Sequence, residues 1–320
     1  FLLTTIASAK APTKLKIAGI LMTGPEQAWD GTFLKAWEEV KAEKPHGLEI
    51  NKPIFTEGVW NDTADTVASL YARKGFDIIW MHGSYSDQVK KLQKKYPDIL
   101  FVVSGSGNEG LGGNQYWAYI RQHESTYLQG MVAGLMTKTN KIGMVGTFPA
   151  DDVWDAVNGF FLGAKSVIKG DITKKITFIE SWFDPPKARE ASNAQISAGV
   201  DQIYMDATAF EACEKAGIFA HGKYKNWIPV SPKAVMTSSI LNWKPSIKWI
   251  IDEWYKVKTT GQPYNGNTKP KWFSMAEGAG DVVLNDRLPQ HIKDKVLKAK
   301  ADILSGKLVV PVIVGPVKSD

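Results

Sequence analysis

The sequence is short of the residues from which metal sites and most nucleophilic active sites are assembled. Cys213 is the only cysteine in 320 residues, which excludes an intrachain disulfide and a cysteine-built zinc site. It lies in Phe210-Glu211-Ala212-Cys213-Glu214-Lys215, a helical pattern, and reads as a packed, inert thiol. The five histidines, His46, His82, His123, His221 and His291, show no paired ligand spacing, so no metal is expected. There is no Walker loop and no Gly-x-Ser-x-Gly elbow. No catalytic residue is nominated and no cofactor is expected. A charge excess of one sign is also missing: 39 basic against 33 acidic residues leave +6, with the lysines spread along the chain. Nucleic acid would want a basic stripe and is not an expected partner, although a mildly basic surface suits an anionic membrane face. No stretch reaches the ~20 apolar residues needed to span a bilayer.

The amino end, Phe1 to Ala11, is apolar, ends in small residues and resembles the tail of a signal or anchor segment. The expected location is therefore extracytoplasmic, periplasmic or cell-surface, with attachment through a removed or truncated amino-terminal segment.

What the sequence has is apolar strands that end in loops. With 44% hydrophobic residues over this length, two domains are expected rather than one. The stretch from Leu15 to Trp37 organises the first: an apolar strand, Ile17 to Met22, a loop Thr23-Gly24-Pro25-Glu26-Gln27-Ala28-Trp29-Asp30-Gly31, then a helix. Open α/β folds bind ligands at such loops, outside the carboxyl ends of parallel strands. Lys141-Ile142-Gly143-Met144-Val145-Gly146 repeats the arrangement ~125 residues on, with a loop from Thr147 to Val153 and then Trp154-Asp155, which suggests two like-folded lobes.

Between these openings the chain alternates strand and helix. Strands are expected around Ile54, at Phe76 to Met81 and at Ile99 to Val103. Helices are expected from Thr63 to Arg73, capped by Asn61 or Asp62, from Gln88 to Tyr96, and from Gln122 to Lys138, where Gly130, Ala133 and Gly134 suit close packing. In the second half strands are expected at Ile176 to Ile179 and Val200 to Met205, with a possible edge strand at Leu308 to Ile313. Ser104-Gly105-Ser106-Gly107-Asn108-Glu109-Gly110 matches Gly-x-Gly-x-x-Gly, but no helix opens directly after it as a dinucleotide site requires. A mobile glycine-rich hinge or rim is the preferred reading.

An aromatic beside a carboxylate or amide recurs near strand ends: Trp29 with Asp30, Trp60 with Asn61, Trp154 with Asp155, Trp182 with Asp184. Two indoles can sandwich a flat ligand. Each face is worth about 1 to 3 kcal/mol and micromolar binding needs about 8, so polar groups must supply the rest. Asp30 and Asp206 can accept from purine N–H groups or a ribose diol; helix capping is the structural alternative for both. Tyr85, Ser104 and Asn242, in strand-end loops, complete the candidate set of Trp29, Asp30, Tyr85, Ser104, Trp182, Asp206 and Asn242.

Ala28-Trp29-Asp30, Lys141 to Gly146 with Asn158-Gly159-Phe160-Phe161-Leu162-Gly163-Ala164, Trp182-Phe183-Asp184-Pro185, Glu124 to Gly134 and Met236-Thr237-Ser238 together resemble the basic membrane protein family, the purine-nucleoside receptor type of ABC-transporter substrate-binding protein. The resemblance covers Lys14 to Val314. It implies an α/β type I periplasmic-binding-protein fold, two Rossmann-like lobes with a ligand cleft and three crossovers, here 15–121 with 239–278 and 122–238 with 279–320. It also implies that Trp29 stacks on a base and Trp182 closes its other face. Asp30 replaces a common Asn. Two departures bear on ribose recognition: His221-Gly222-Lys223-Tyr224-Lys225-Asn226-Trp227 stands in place of an acidic Asp-x-Asp-Gln stretch, and a lysine expected after Thr237-Ser238 is missing.

The expected function is therefore non-catalytic: capture of a purine nucleoside or base as a monomer, and delivery to a membrane permease. The alternatives are a sugar-binding or ligand-sensing protein of the same fold, or a nucleoside hydrolase.

Overall fold

A computed structural model describes residues 11–320, so the amino-terminal signal or anchor reading lies outside the described residues. Strands run in chain order as β1 Lys14–Leu15, β2 Ile17–Leu21, β3 Glu49–Ile50, β4 Ile54–Thr56, β5 Ile78–His82, β6 Leu100–Ser104, β7 Gln115–Ile120, β8 Lys141–Gly146, β9 Thr173–Phe178, β10 Gln202–Met205, β11 Phe219–Gly222, β12 Val235–Leu241, β13 Lys271–Phe273 and β14 Gly280–Leu284. The helices are α1 Ala28–Glu43, α2 Ala64–Arg73, α3 Ser86–Lys90, α4 Gln122–Met136, α5 Asp151–Lys165, α6 Pro185–Ser197, α7 Phe210–Ala216, α8 Lys244–Thr260 and α9 Gln290–Leu304. The chain divides into two compact units. One comprises residues up to Glu26, Phe33–Tyr119 and Trp243–Trp272; the other comprises Gln27–Thr32, Ile120–Asn242 and Phe273–Asp320.

The first unit is built on a sheet of order β13-β7-β6-β5-β2-β4. Its inner strands are buried on both faces, as parallel strands covered by helices must be, and Ile78 to His82 are all fully buried. Trp80 and His82, two apart on β5, share a face and both meet Phe33 of α1, at ring-centroid distances of 5.1 and 3.9 Å. Trp243, just before α8, packs on Phe33, His82 and Tyr119 at 5.5, 4.8 and 5.9 Å. The core of this unit is thus a continuous aromatic block, and it absorbs several of the chain's 12 tryptophans.

The second unit carries the order β14-β12-β11-β10-β8-β9. Alternation along its strands separates two apolar layers. Val145, Ile203 and Met205 pack with Ala188 and Ala191 of α6 and Phe210 and Cys213 of α7. Ile142, Met144 and Tyr204 pack with Val157, Phe160 and Ala164 of α5. Burial, with Glu211 adding to it, pushes the Cys213 thiol up to about 12, consistent with a packed, unreactive group.

Small residues on α4 do what the sequence suggests. A Cβ added at Gly130 would stand 1.8 Å from the Phe160 carbonyl oxygen, and one added at Gly163 would stand 1.9 Å from that of Tyr127. The two helices touch backbone to backbone. Gly130→Ala is expected to destabilise the second unit by about 1 to 3 kcal/mol, the usual cost of overpacking; an unchanged melting temperature would show that α4 slides without strain.

Several local readings are corrected. Neither Asn61 nor Asp62 caps α2: Thr63 occupies that position, its hydroxyl donating to the Trp60 carbonyl at 3.2 Å, and the Asn61 amide donates to Ser84 O at 3.2 Å. The helix expected from Gln88 to Tyr96 is the shorter α3, followed by turns. Leu308 to Ile313 forms no strand, as Pro311 has no N–H to give a ladder. The pairing comes later, where Asp320 N donates to Lys174 O at 2.8 Å beside β9. The glycine-rich loop is a packed rim. Leu111 N and Gly112 N both donate to Asn267 O, at 2.9 and 3.2 Å, and a Cβ on Gly110 would lie 2.0 Å from the Thr268 carbonyl carbon. The loop leads into β7, which was not anticipated.

Candidate functional site

In the second unit β8 is the first strand, with β9 on one side and β10 on the other. Successive connections therefore leave β8 in opposite directions, which makes the carboxyl ends of β8 and β10 a switch point, the place where open α/β sheets bind ligands. Register fixes what stands there. Met205 lies opposite Val145 on β8 and Gly222 on β11, so the residues just beyond, Asp206, Thr147 and Lys223, are brought together. Asp206 is buried. Its Oδ2 accepts the Thr147 N–H at 2.9 Å and the Thr147 hydroxyl, and its Oδ1 accepts the Lys223 ammonium. The alternative of helix capping by Asp206 is thereby replaced: the carboxylate ties three strand ends together.

Trp182 follows β9, where Glu180 at φ 52° turns the chain. Its indole is partly buried, leans on the α5 layer and lies 4.8 Å from Phe148 with the rings tilted by 55°. Asp184, next to it in the sequence, is a helix cap: its Oδ1 accepts the Lys187 N–H at 3.0 Å and opens α6.

Trp29 and Asp30 lie in the first turn of α1, in the segment Gln27–Thr32 that groups with the second unit. Gln27 precedes α1 and its side chain accepts the Trp29 N–H, while its carbonyl accepts Gly31 N at 2.9 Å. Asp30 is fully buried and Trp29 partly so. Asn242, at the end of β12, is fastened to the segment before β14: its N–H donates to Ala279 O at 2.9 Å and its amide to Gly278 O at 2.8 Å.

The remaining candidates belong to the first unit. Tyr85 is fully buried, with its hydroxyl donating to Val59 O. Ser104 ends β6 opposite His82. It is fully buried, and its hydroxyl has no hydrogen-bond partner among the described residues. The other aromatic–polar pairs go elsewhere. Trp154 is core, 4.9 Å from Phe178, Asp155 pairs with His123 Nδ1 at 3.0 Å, and Trp60 is 52% exposed.

Thr147, Phe148 and Lys223 were not nominated from sequence. The signal for Lys223 was available: a lysine one residue past an inner strand of a parallel sheet is buried by its neighbours and needs a counter-charge, and Asp206 stands at the same level on the adjacent strand.

With this geometry in place, the comparisons with known proteins are specific. Residues 27–312 match the family model described as ABC transporter substrate-binding protein PnrA-like. A purine-binding protein of Brucella abortus is 29% identical over 323 residues, spanning 97% of this chain and 86% of that protein. An ABC transporter nucleoside-binding protein of Lactococcus lactis is 28% identical over 331 residues, spanning 95% and 91%. Among solved structures, an ABC transporter solute-binding protein of Aeropyrum pernix superposes with a TM-score of 0.74 at 14% identity, covering 93% of this chain and 94% of that one. The fold is the type I fold of periplasmic solute-binding proteins.

Proposed function

Because the chain belongs to the PnrA-like family of ABC transporter substrate-binding proteins, we propose that it binds a purine base or nucleoside, leaves it chemically unchanged and passes it to a membrane permease outside the cytoplasm. The observation that supports this most is Trp182: a partly exposed indole beside Phe148, at the strand ends where Asp206, Thr147 and Lys223 gather. A planar heterocycle has a face for the indole and an edge for the polar groups. Trp29 and Asp30, which group with the same unit, are the proposed contributors to its other face; Ser104 of the first unit is a further proposed contact, by its buried hydroxyl. Tyr85 and Asn242 stay proposed contacts, the first held by Val59 within the first unit and the second by Gly278 and Ala279 within the second.

Calorimetry with adenine, hypoxanthine, adenosine and guanosine on the full chain tests the reading. The expected result is saturable binding of at least one purine with ligand recovered intact. Absence of heat with all four, or release of free ribose from a nucleoside, overturns it.

A further inference from the structure

The pair formed by Asp206 and Lys223 is unevenly satisfied. A carboxylate has about four acceptor positions and an ammonium three donors. Asp206 fills three of its positions with the Thr147 N–H, the Thr147 hydroxyl and Lys223 Nζ. Lys223 is 2% exposed, yet among the described residues its Nζ makes a single hydrogen bond, the one to Asp206. The only other group described beside it is the Tyr224 ring, whose centroid is 4.5 Å from Nζ. A π face holds the charge without accepting every proton. A buried ammonium therefore keeps donor capacity at the strand ends of the switch point, where water is largely excluded and an unmet donor is costly.

We propose that Lys223 is the donor that reads the ligand's edge, giving a hydrogen bond to a lone pair on a purine, a ring nitrogen or an exocyclic oxygen. Asp206 is the counter-ion that holds the ammonium in place, with its own acceptors nearly spent. The backbone keeps Lys223 rigid: its carbonyl accepts the Trp227 indole N–H at 2.7 Å and Lys225 N at 3.1 Å. Since the pair carries no net charge, the ligand class it selects is a neutral heterocycle bearing an acceptor, rather than a phosphorylated nucleotide. This deepens the purine reading above and rests on it.

A cycle of protein and ligand changes tests the assignment. Adenine, hypoxanthine and the 1-, 3- and 7-deaza analogues of adenine, each lacking one ring acceptor, are titrated calorimetrically into the full chain and into Lys223→Met. The parent is expected to bind one analogue, or adenine relative to hypoxanthine, about tenfold more weakly, the scale of one charged hydrogen bond. Lys223→Met is expected to lose that discrimination and to bind the better ligand about tenfold more weakly. The double variant Asp206→Asn/Lys223→Met, which strands no charge, is expected to lose the discrimination too, so a folding defect in the single variant does not decide the outcome. Purine binding whose discrimination survives unchanged in both variants overturns the role of Lys223 alone. Where the parent binds only nucleosides, the deaza analogues of adenosine carry the same comparison; no binding of adenine, hypoxanthine, adenosine or guanosine by the parent overturns the purine reading and this assignment together.

Discussion

Truncating Trp182 to alanine is expected to weaken purine binding by roughly 5- to 150-fold, and truncating Trp29 by a similar factor, while the thermal melt of each variant stays close to that of the parent. The range is the 1 to 3 kcal/mol that an aromatic face contributes to stacking on a base, converted at about 1.4 kcal/mol per tenfold. Trp182 suits the test because its neighbours do not depend on it. Asp184 caps α6 through Lys187 N, and the α5 layer keeps Trp154, Phe160 and Phe161. Trp29 is likewise in a turn already held by Gln27. Removing both rings is expected to cost about 2 to 6 kcal/mol, enough to carry a micromolar complex, worth about 8 kcal/mol, to a dissociation constant between roughly tens of micromolar and tens of millimolar. A Trp182→Phe variant keeps a smaller face and is expected to fall between. Parental affinity in both alanine variants would mean that the ligand lies away from these rings.

The strand-loop-helix rhythm was legible because each half repeats it, and unbroken apolar runs such as Phe76 to Met81 leave little choice about burial. What the rhythm cannot give is which strand lies beside which. Asp206 was nominated as a free acceptor, and only the order β11-β10-β8 reveals that Lys223 and Thr147 flank it. The recurrent aromatic–carboxylate pairs misled for a related reason. Trp154-Asp155 and Trp182-Phe183-Asp184 look alike in sequence, but the first lies inside α5, turned to the core and to His123, whereas in the second the acid caps a helix and the indole remains at the loop. β7 was missed because its run Gln-Tyr-Trp-Ala-Tyr-Ile, although rich in strand-favouring aromatics, directly follows a glycine loop and shows no apolar–polar alternation. Its burial comes from neighbouring strands and helices, a tertiary fact. The glycines before it looked like a hinge because close backbone approach and flexibility demand the same residue.

The second unit is expected to lose roughly 4 kcal/mol of stability between pH 7 and pH 3 through His221 alone. This ring is fully buried on β11. Its Nε2 lies 3.2 Å from Gln202 Oε1, which can only accept, so Nε2 carries the proton; Nδ1 then accepts from the Thr237 hydroxyl at 2.8 Å. That hydroxyl in turn receives the Gln129 amide at 3.1 Å. Both ring nitrogens are satisfied with the imidazole neutral, and no carboxylate among the described residues bonds the ring. Burial accordingly lowers its pKa from 6.5 to about 3. The folded-state value lies below the unfolded one, so the contribution is complete above pH 6.5 and drains away as pH falls toward 3, because only the unfolded chain takes up the proton in that window. The slope is about 1.4 kcal/mol per pH unit. His221→Gln replaces the ring with an amide that can still donate to Gln202 and accept from Thr237, and it does not titrate. The stability difference between parent and variant, measured by urea unfolding of the second unit at pH 7, 5 and 4, is expected to move against the parent by about 1.4 kcal/mol per unit below pH 6. Carboxylates elsewhere titrate in both proteins and cancel in the difference. A gap that stays constant from pH 7 to 4 would mean that the imidazole takes its proton in the folded state as readily as in the unfolded chain, and that water or a counter-charge reaches the strand interior on which this network depends.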